Sequence, residues 1–183
     1  MLINPELKIY EFYIEPSLSV HEKTKIYEYL VSYNKIMLDF TNFRLTNFEI
    51  LDYHYYFNEL YDEFQKCVHD LFGRLTIVEP NKRCYAYVTS INDKKSNLWH
   101  DHTKTSSINA VYYFSVPDEN SGKLLFGNND KKVIYEYQPK ENFMLIFPDT
   151  LQHCPTHCES ERYRIAINME IKCLEDVWNR MDQ

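Results

Sequence analysis

Two histidines stand one residue apart in Leu98-Trp99-His100-Asp101-His102, and a third, His153, follows much further along the chain. Side chains on a strand alternate between faces, so His100 and His102 would share one face while Asp101 points the other way. Two imidazoles one pleat apart can share an ion. A third, from a neighbouring strand, would complete a facial set and leave coordination positions open. Imidazole ligands with open positions suit iron(II), and equally zinc, copper or nickel. A strand that ends or kinks at the pair would turn Asp101 toward the ion instead, and strand alternation favours His102 over it.

A second grouping competes for a metal. In His153-Cys154-Pro155-Thr156-His157-Cys158, thiolate and imidazole donors could bind zinc, with Cys84 or Cys173 as a fourth ligand. No second clean cysteine pair accompanies it, which weakens this reading. His21, His54 and His69 fall on predicted helices and are read as structural or solvated.

The elements that must position these groups change character along the chain. Leu7 to Ile14 is rich in β-formers and reads as a first strand. Ser19 and Glu22 have the spacing of a capping box, and Ile26, Tyr29, Leu30 and Tyr33 follow at helical intervals, so a helix is predicted from about Val20 to Lys35. Phe43 to Ile50 reads as a strand or an irregular extended piece. Tyr53, Phe57, Leu60, Tyr61, Phe64, Val68 and Leu71 predict an amphipathic helix that Gly73 stops. From Lys82 the period shortens to two: Cys84, Ala86 and Val88 alternate with Arg83, Tyr85 and Tyr87. Further strands are predicted at about Asn109–Val116, Lys123–Phe126, Lys132–Gln138, Phe143–Phe147 and Arg162–Ile171, with turn residues between them. Helices followed by antiparallel strands indicate an α+β fold with helices on one face of a sandwich or barrel.

The ordered series His100-x-His102, Ile108–Val116 (INAVYYFSV), Ser121-Gly122, Phe147-Pro148-Asp149-Thr150-Leu151-Gln152-His153 and Arg162-Tyr163-Arg164-Ile165 resembles the iron(II)/2-oxoglutarate-dependent dioxygenases, especially the prolyl-hydroxylase-like branch. That family carries an H-x-D/E pair, a "YYL" strand, an "SGG" turn, a "LLFF/LLFP" strand, a distal His and an "R-Y-x-I" strand. The likeness runs from about Arg83 to Ile171. It implies a mainly β double-stranded β-helix (jelly roll, cupin-like) with flanking N-terminal helices. Residues 1–183 would form one domain, 1–80 a helical support region and 81–173 the β core. It also implies an Fe(II)- and 2-oxoglutarate-dependent hydroxylase, with His100, His102 and His153 as metal ligands and Arg162 holding the far carboxylate of 2-oxoglutarate. Arg164, on the same face, could bind the same carboxylate. Tyr113 matches the second Tyr of the "YYL" strand, whose hydroxyl can reach the co-substrate, although core packing explains it equally well. Asn109, Tyr85, Tyr87 and Arg83 could line the same cleft, and Trp99 a wall of it. The chain departs from the family at His102, where a carboxylate is usual. O2, 2-oxoglutarate and a peptide or small-molecule substrate are the partners implied, with ascorbate as an optional addition. A non-catalytic or zinc-bound domain on the same fold, and a three-His oxygenase that does not use 2-oxoglutarate, are the alternatives.

Composition bounds these readings. With 183 residues, 44% hydrophobic and 26% charged, the chain suits one packed domain. Sixteen Tyr against three Gly reads as coding bias. A net charge of −7, with no Lys/Arg run longer than two, argues against a nucleic-acid partner. No apolar run approaches a membrane span, Met1–Pro5 lacks the build of a signal peptide, and the five cysteines are expected as free thiols, so a cytoplasmic location is the expectation.

Overall fold

A computed structural model describes residues 1–41, 50–78, 82–91 and 98–180. In chain order they form β1 (Leu2–Asn4), β2 (Ile9–Tyr13), α1 (Val20–Thr41), α2 (Ile50–Tyr53), α3 (Tyr55–Phe72), β3 (Arg83–Thr89) and β4 (Ile108–Ser115). A 3-10 turn at Glu119–Ser121 is followed by β5 (Leu124–Gly127), β6 (Val133–Tyr137), β7 (Phe143–Pro148), β8 (Gln152–Pro155), β9 (Arg164–Ile171) and α4 (Val177–Arg180).

Local chemistry sets the helix ends. The capping box forms as spaced: Ser19 N–H donates to Glu22 Oε2 at 2.9 Å and Glu22 N–H to Ser19 Oγ at 3.3 Å. α1 runs on beyond the Lys35 expected for its end. His54 caps α3, its ring nitrogen accepting the Tyr56 N–H at 3.2 Å, and Gly73 ends it at φ 71 with its N–H on His69 O. The extended piece expected at Phe43 to Ile50 lies outside the described residues, except for Ile50, which opens α2.

The strands build two antiparallel sheets, ordered β1-β2-β7-β4-β9-β3 and β6-β5-β8. From β4 onward the chain passes back and forth between them, which is the winding of a double-stranded β-helix. The jelly roll expected from the resemblance is therefore the observed fold. Two features were not anticipated. The strand expected over Leu7 to Ile14 is β2, but it belongs to the β core rather than to a helical support region: β1 and β2 form one edge of the large sheet, with β2 paired to β7. β8 is a strand although Gln-His-Cys-Pro shows no alternation; β5 recruits it through the pairs Leu125↔Cys154 and Phe126↔His153.

Strand alternation divides the core in two. The outer face of the large sheet (Cys84, Ala86, Val88, Ile108, Ala110, Tyr112, Phe114, Met144, Ile146, Ile165, Ile167, Met169) packs against α1 and α3, where Phe57 and Phe64 are fully buried. Burying one such ring contributes roughly 1.5–3 kcal/mol. The inner face carries a smaller apolar cluster of Ile9, Val111, Tyr113, Leu145, Phe147 and Ala166, closed by Leu124, Phe126 and Tyr137 of the small sheet. The remaining inner positions are polar, and they form the site.

Candidate active site

His100 and His153 are brought together by backbone pairing. His100 N–H donates to His153 O at 3.1 Å and His153 N–H to His100 O at 3.0 Å, a bridge that adds His100 to the edge of the small sheet beside β8. Their ring centroids are 4.2 Å apart. The strand does not continue to His102 as expected from alternation. His102 N–H turns to Asp149 O at 2.9 Å, and His102 O accepts from Thr105 and Ser106 N–H. The bend still returns the His102 ring to the group, stacked on His153 at 5.1 Å and 14°. Trp99 lies over Gly127, where an added Cβ would come within 2.6 Å of the indole.

The hydrogen-bond partners define the tautomers. His100 Nδ1 faces Leu98 O at 2.9 Å and His153 Nδ1 faces Leu151 O at 2.9 Å. A carbonyl only accepts, so each Nδ1 carries the proton and each Nε2 the lone pair. His102 Nδ1 lies 3.0 Å from Glu170 Oε1, an acceptor when ionised. His102 Nε2 and His153 Nε2 lie 3.3 Å apart, a separation that one shared ion or a proton bridges. One ring nitrogen of each of the three histidines lies within 4.8 Å of the others. Two nitrogens bound to one ion at about 2.1 Å, roughly at right angles, lie about 3.0 Å apart, close to the 3.3 Å between His102 Nε2 and His153 Nε2. Burial, then the neighbouring His100, drives the His153 pKa well below its ordinary value; burial also lowers that of His100. Both rings are thereby kept neutral, the form that ligates a metal.

Asp101 faces elsewhere. Its carboxylate accepts from Thr103 Oγ1 at 2.9 Å, Thr103 N–H at 3.2 Å and the Gln152 amide. The Thr103 hydroxyl bond, foremost, holds its carboxyl below the usual range. Among the described residues, the three histidines are the group of His, Cys, Asp or Glu side chains close enough to share an ion. The alternative cysteine grouping does not assemble: Cys154 and Cys158 are buried free thiols and His157 is exposed.

Behind His102 lies a polar cluster that sequence reasoning missed. Glu170, 4% exposed, sits on the inner face of β9 opposite Asn109 of β4 and Arg83 of β3. Tyr85 Oη donates to its Oε1 at 3.1 Å, and Arg83 Nη1 lies 2.8 Å from Oε2. That last contact is a charge pairing without an aligned hydrogen bond, since Oε2 accepts no well-directed donor. Burial disfavours the charged carboxylate, but the His102 bond, Arg83 and Tyr85 outweigh it and hold the pKa below its ordinary value. Residues 164, 166, 168 and 170 alternate onto the site face, and that parity was the signal in the sequence that could have found Glu170.

The two arginines part company, and Arg162 requires correction. It precedes β9, is 68% exposed at its side chain, donates to Pro117 O and lies 4.0 Å from Asp118. It therefore faces solvent rather than the interior. Arg164, one pleat further into the sheet, is 2% exposed. Its Nη1 donates to Ser121 O at 2.7 Å and its Nη2 to Thr156 O at 3.4 Å, leaving guanidinium donors for another acceptor. Gly122, at φ 81, makes this approach possible: a Cβ there would meet Arg164 Nη1 at 2.9 Å and His157 O at 2.5 Å. Directly opposite Arg164 on β3 is Thr89, whose buried hydroxyl has no partner. Tyr113 lies in the inner apolar cluster, stacked on Tyr137 at 6.0 Å, its hydroxyl pKa raised by burial and drawn back by Arg164. Asn109, nearer the histidines, bonds Ser106 through Oδ1 and leaves its buried Nδ2 unpartnered. The interior therefore holds both the histidine cluster and a buried guanidinium at Arg164.

No protein-family model and no curated protein matches the chain. Solved structures do. A prolyl-4-hydroxylase from Pseudomonas putida aligns over 90% of this chain and 86% of its own, with a TM-score of 0.56 and 10% identity. HygX from Streptomyces hygroscopicus, solved with nickel and 2-oxoglutarate, aligns over 87% and 81%, with a TM-score of 0.58 and 12% identity. The nickel complex of the non-heme monooxygenase ThoJ aligns over 89% and 73%, with a TM-score of 0.61 and 8% identity. The likeness is one of fold.

Proposed function

We propose that this chain is a 2-oxoglutarate-dependent oxygenase that holds Fe(II) on His100, His102 and His153. One observation carries the reading: three imidazoles bring one ring nitrogen each within 4.8 Å of the others, with the Nδ1 of each engaged elsewhere, an arrangement suited to holding one shared cation. The fold it shares with HygX, which binds nickel and 2-oxoglutarate, supports the same conclusion. A bound Fe(II) would supply the redox chemistry of oxygen activation.

The residues present fit the co-substrate. Arg164 can grip a carboxylate through its remaining donors, in a charge-assisted and bidentate manner. Thr89 Oγ1 supplies a second donor beside it, and Tyr113 closes the pocket against water. At the metal end, Asn109 Nδ2 is a buried donor aimed at the same interior. Residues 1–183 act as one domain in this reading. Hydroxylation, of a peptide side chain or a small molecule, is the reaction class we assign.

A second reading has specific support: three neutral ligands without a carboxylate is also a zinc donor set. Metal analysis of the purified chain, with calorimetric titration of 2-oxoglutarate into the metal-loaded protein, separates the two. We expect one Fe(II) per chain, tight 2-oxoglutarate binding and succinate on exposure to oxygen. His100→Ala and His153→Ala should abolish metal binding, while Asp101→Ala keeps it. Zinc retained with no affinity for 2-oxoglutarate would overturn the proposal.

A further inference from the structure

Resting on the metal reading above, we infer that Glu170 is a positioning residue for the metal centre: it locks His102 with Nε2 facing the ion and supplies, one imidazole away, the negative charge that none of the three ligands carries. The three histidines are not held alike. His100 and His153 are fixed by neutral carbonyls of the residues two positions before them, Leu98 and Leu151. His102 alone is fixed by a carboxylate, at 3.0 Å, from a strand of the opposite sheet.

The contact is a close and buried charge pairing. Glu170 is 4% exposed, so its charge is little screened by water. Its Oε1 accepts the Tyr85 hydroxyl and lies 3.0 Å from His102 Nδ1, while Arg83 stands against Oε2. A carboxylate accepting from the far nitrogen of a ligating imidazole fixes its tautomer and raises its basicity. A dipositive ion on three neutral rings gains most from a nearby anion where the walls are apolar, and Phe147 and Phe126 lie 5.0 and 6.3 Å from His153. Arg83 opposes the effect by taking part of the carboxylate's charge, and it also donates to Thr105 O at 2.8 Å, which ties it to the His102 turn.

The two residues are therefore expected to act in opposite directions. Glu170→Gln keeps the shape but removes the charge, and should loosen Ni(II) about 10- to 100-fold in calorimetric titrations of the apo protein. Arg83→Gln, which breaks the same ion pair but leaves the charge on Glu170, should bind Ni(II) as tightly as the parent or more tightly. Nitrogen-15 NMR of histidine-labelled parent protein, which needs no variant, should show His102 protonated at Nδ1 with a strongly deshielded proton. Glu170→Gln at parental affinity, equal weakening by both variants, or His102 protonated at Nε2 in the apo parent overturns the inference and leaves the metal reading standing. A parent chain that binds no Ni(II) overturns the metal reading itself, and this inference with it.

Discussion

Arg162 and Arg164 share a strand parity but not an environment. One donates to a loop carbonyl at the surface; the other is buried between Ser121 O and Thr156 O across from an unpartnered Thr89 hydroxyl. The energetic difference should be large. Loss of a buried charge-assisted bidentate contact costs on the order of 2–3 kcal/mol, so Arg164→Ala should weaken 2-oxoglutarate binding roughly 30- to 150-fold. Arg162→Ala should change it by less than about 2-fold, as expected of an exposed charge. Calorimetry on the metal-loaded chain reads both. An effect of Arg162 larger than that of Arg164 would contradict the proposed pocket. The sequence placed both arginines on one face by parity, and only Arg164 is there in the fold. It did not show where the strand begins, because depth along a strand depends on pairing with β3 and β4 rather than on alternation.

The helices matter to the site through the sheet they support. α3 lays Phe57, Leu60 and Phe64 on the outer face, and Tyr61 Oη donates to the backbone carbonyl of Glu170 at 2.8 Å, pinning the strand behind His102. Tyr56 reaches through the core to Tyr112 Oη at 3.0 Å. Phe64→Ala should cost about 3–5 kcal/mol of stability, since its ring is fully buried in the core. Urea unfolding should show an earlier midpoint with an unchanged slope, and the folded variant should retain its metal affinity. The amphipathic period of α3 was legible because helical spacing is a local property. β8 was not, because its four residues become a strand only when β5 offers an edge.

Across the whole molecule, all five cysteines are buried and unpaired. A thiol reagent should react with none of them in the folded protein and with all five after denaturation. Burial pushes the Cys67 thiol from 9.0 up to about 11 and, with smaller contributions from its neighbours, the Tyr112 hydroxyl from 10.0 to about 12. Folded pKa values above the unfolded ones mean that folding favours the protonated forms. Their stabilisation is complete below about pH 9 and is lost as the pH rises through about 11 and 12. Urea midpoints measured from neutral pH upward should stay level to about pH 9 and then fall. No helix among the described residues is long and apolar enough to cross a membrane.

The sequence by itself determined what could be decided by periodicity and residue chemistry. It showed the helices ahead of the main run of strands, the face to which Arg164, Tyr113 and Asn109 belong, and three imidazoles able to act as ligands. These are local properties, set by side-chain direction over a few residues. The tertiary structure alone decided which groups meet. His102 joins the cluster through a bend rather than a strand, Asp101 is drawn off by Thr103 and Gln152, and Glu170 stands behind His102 from the opposite sheet. Apart from the local bond between Asp101 and Thr103, these are contacts across long sequence separation. Such contacts are selected by sheet register, by burial and by the need to pair every buried charge, none of which a window of sequence contains.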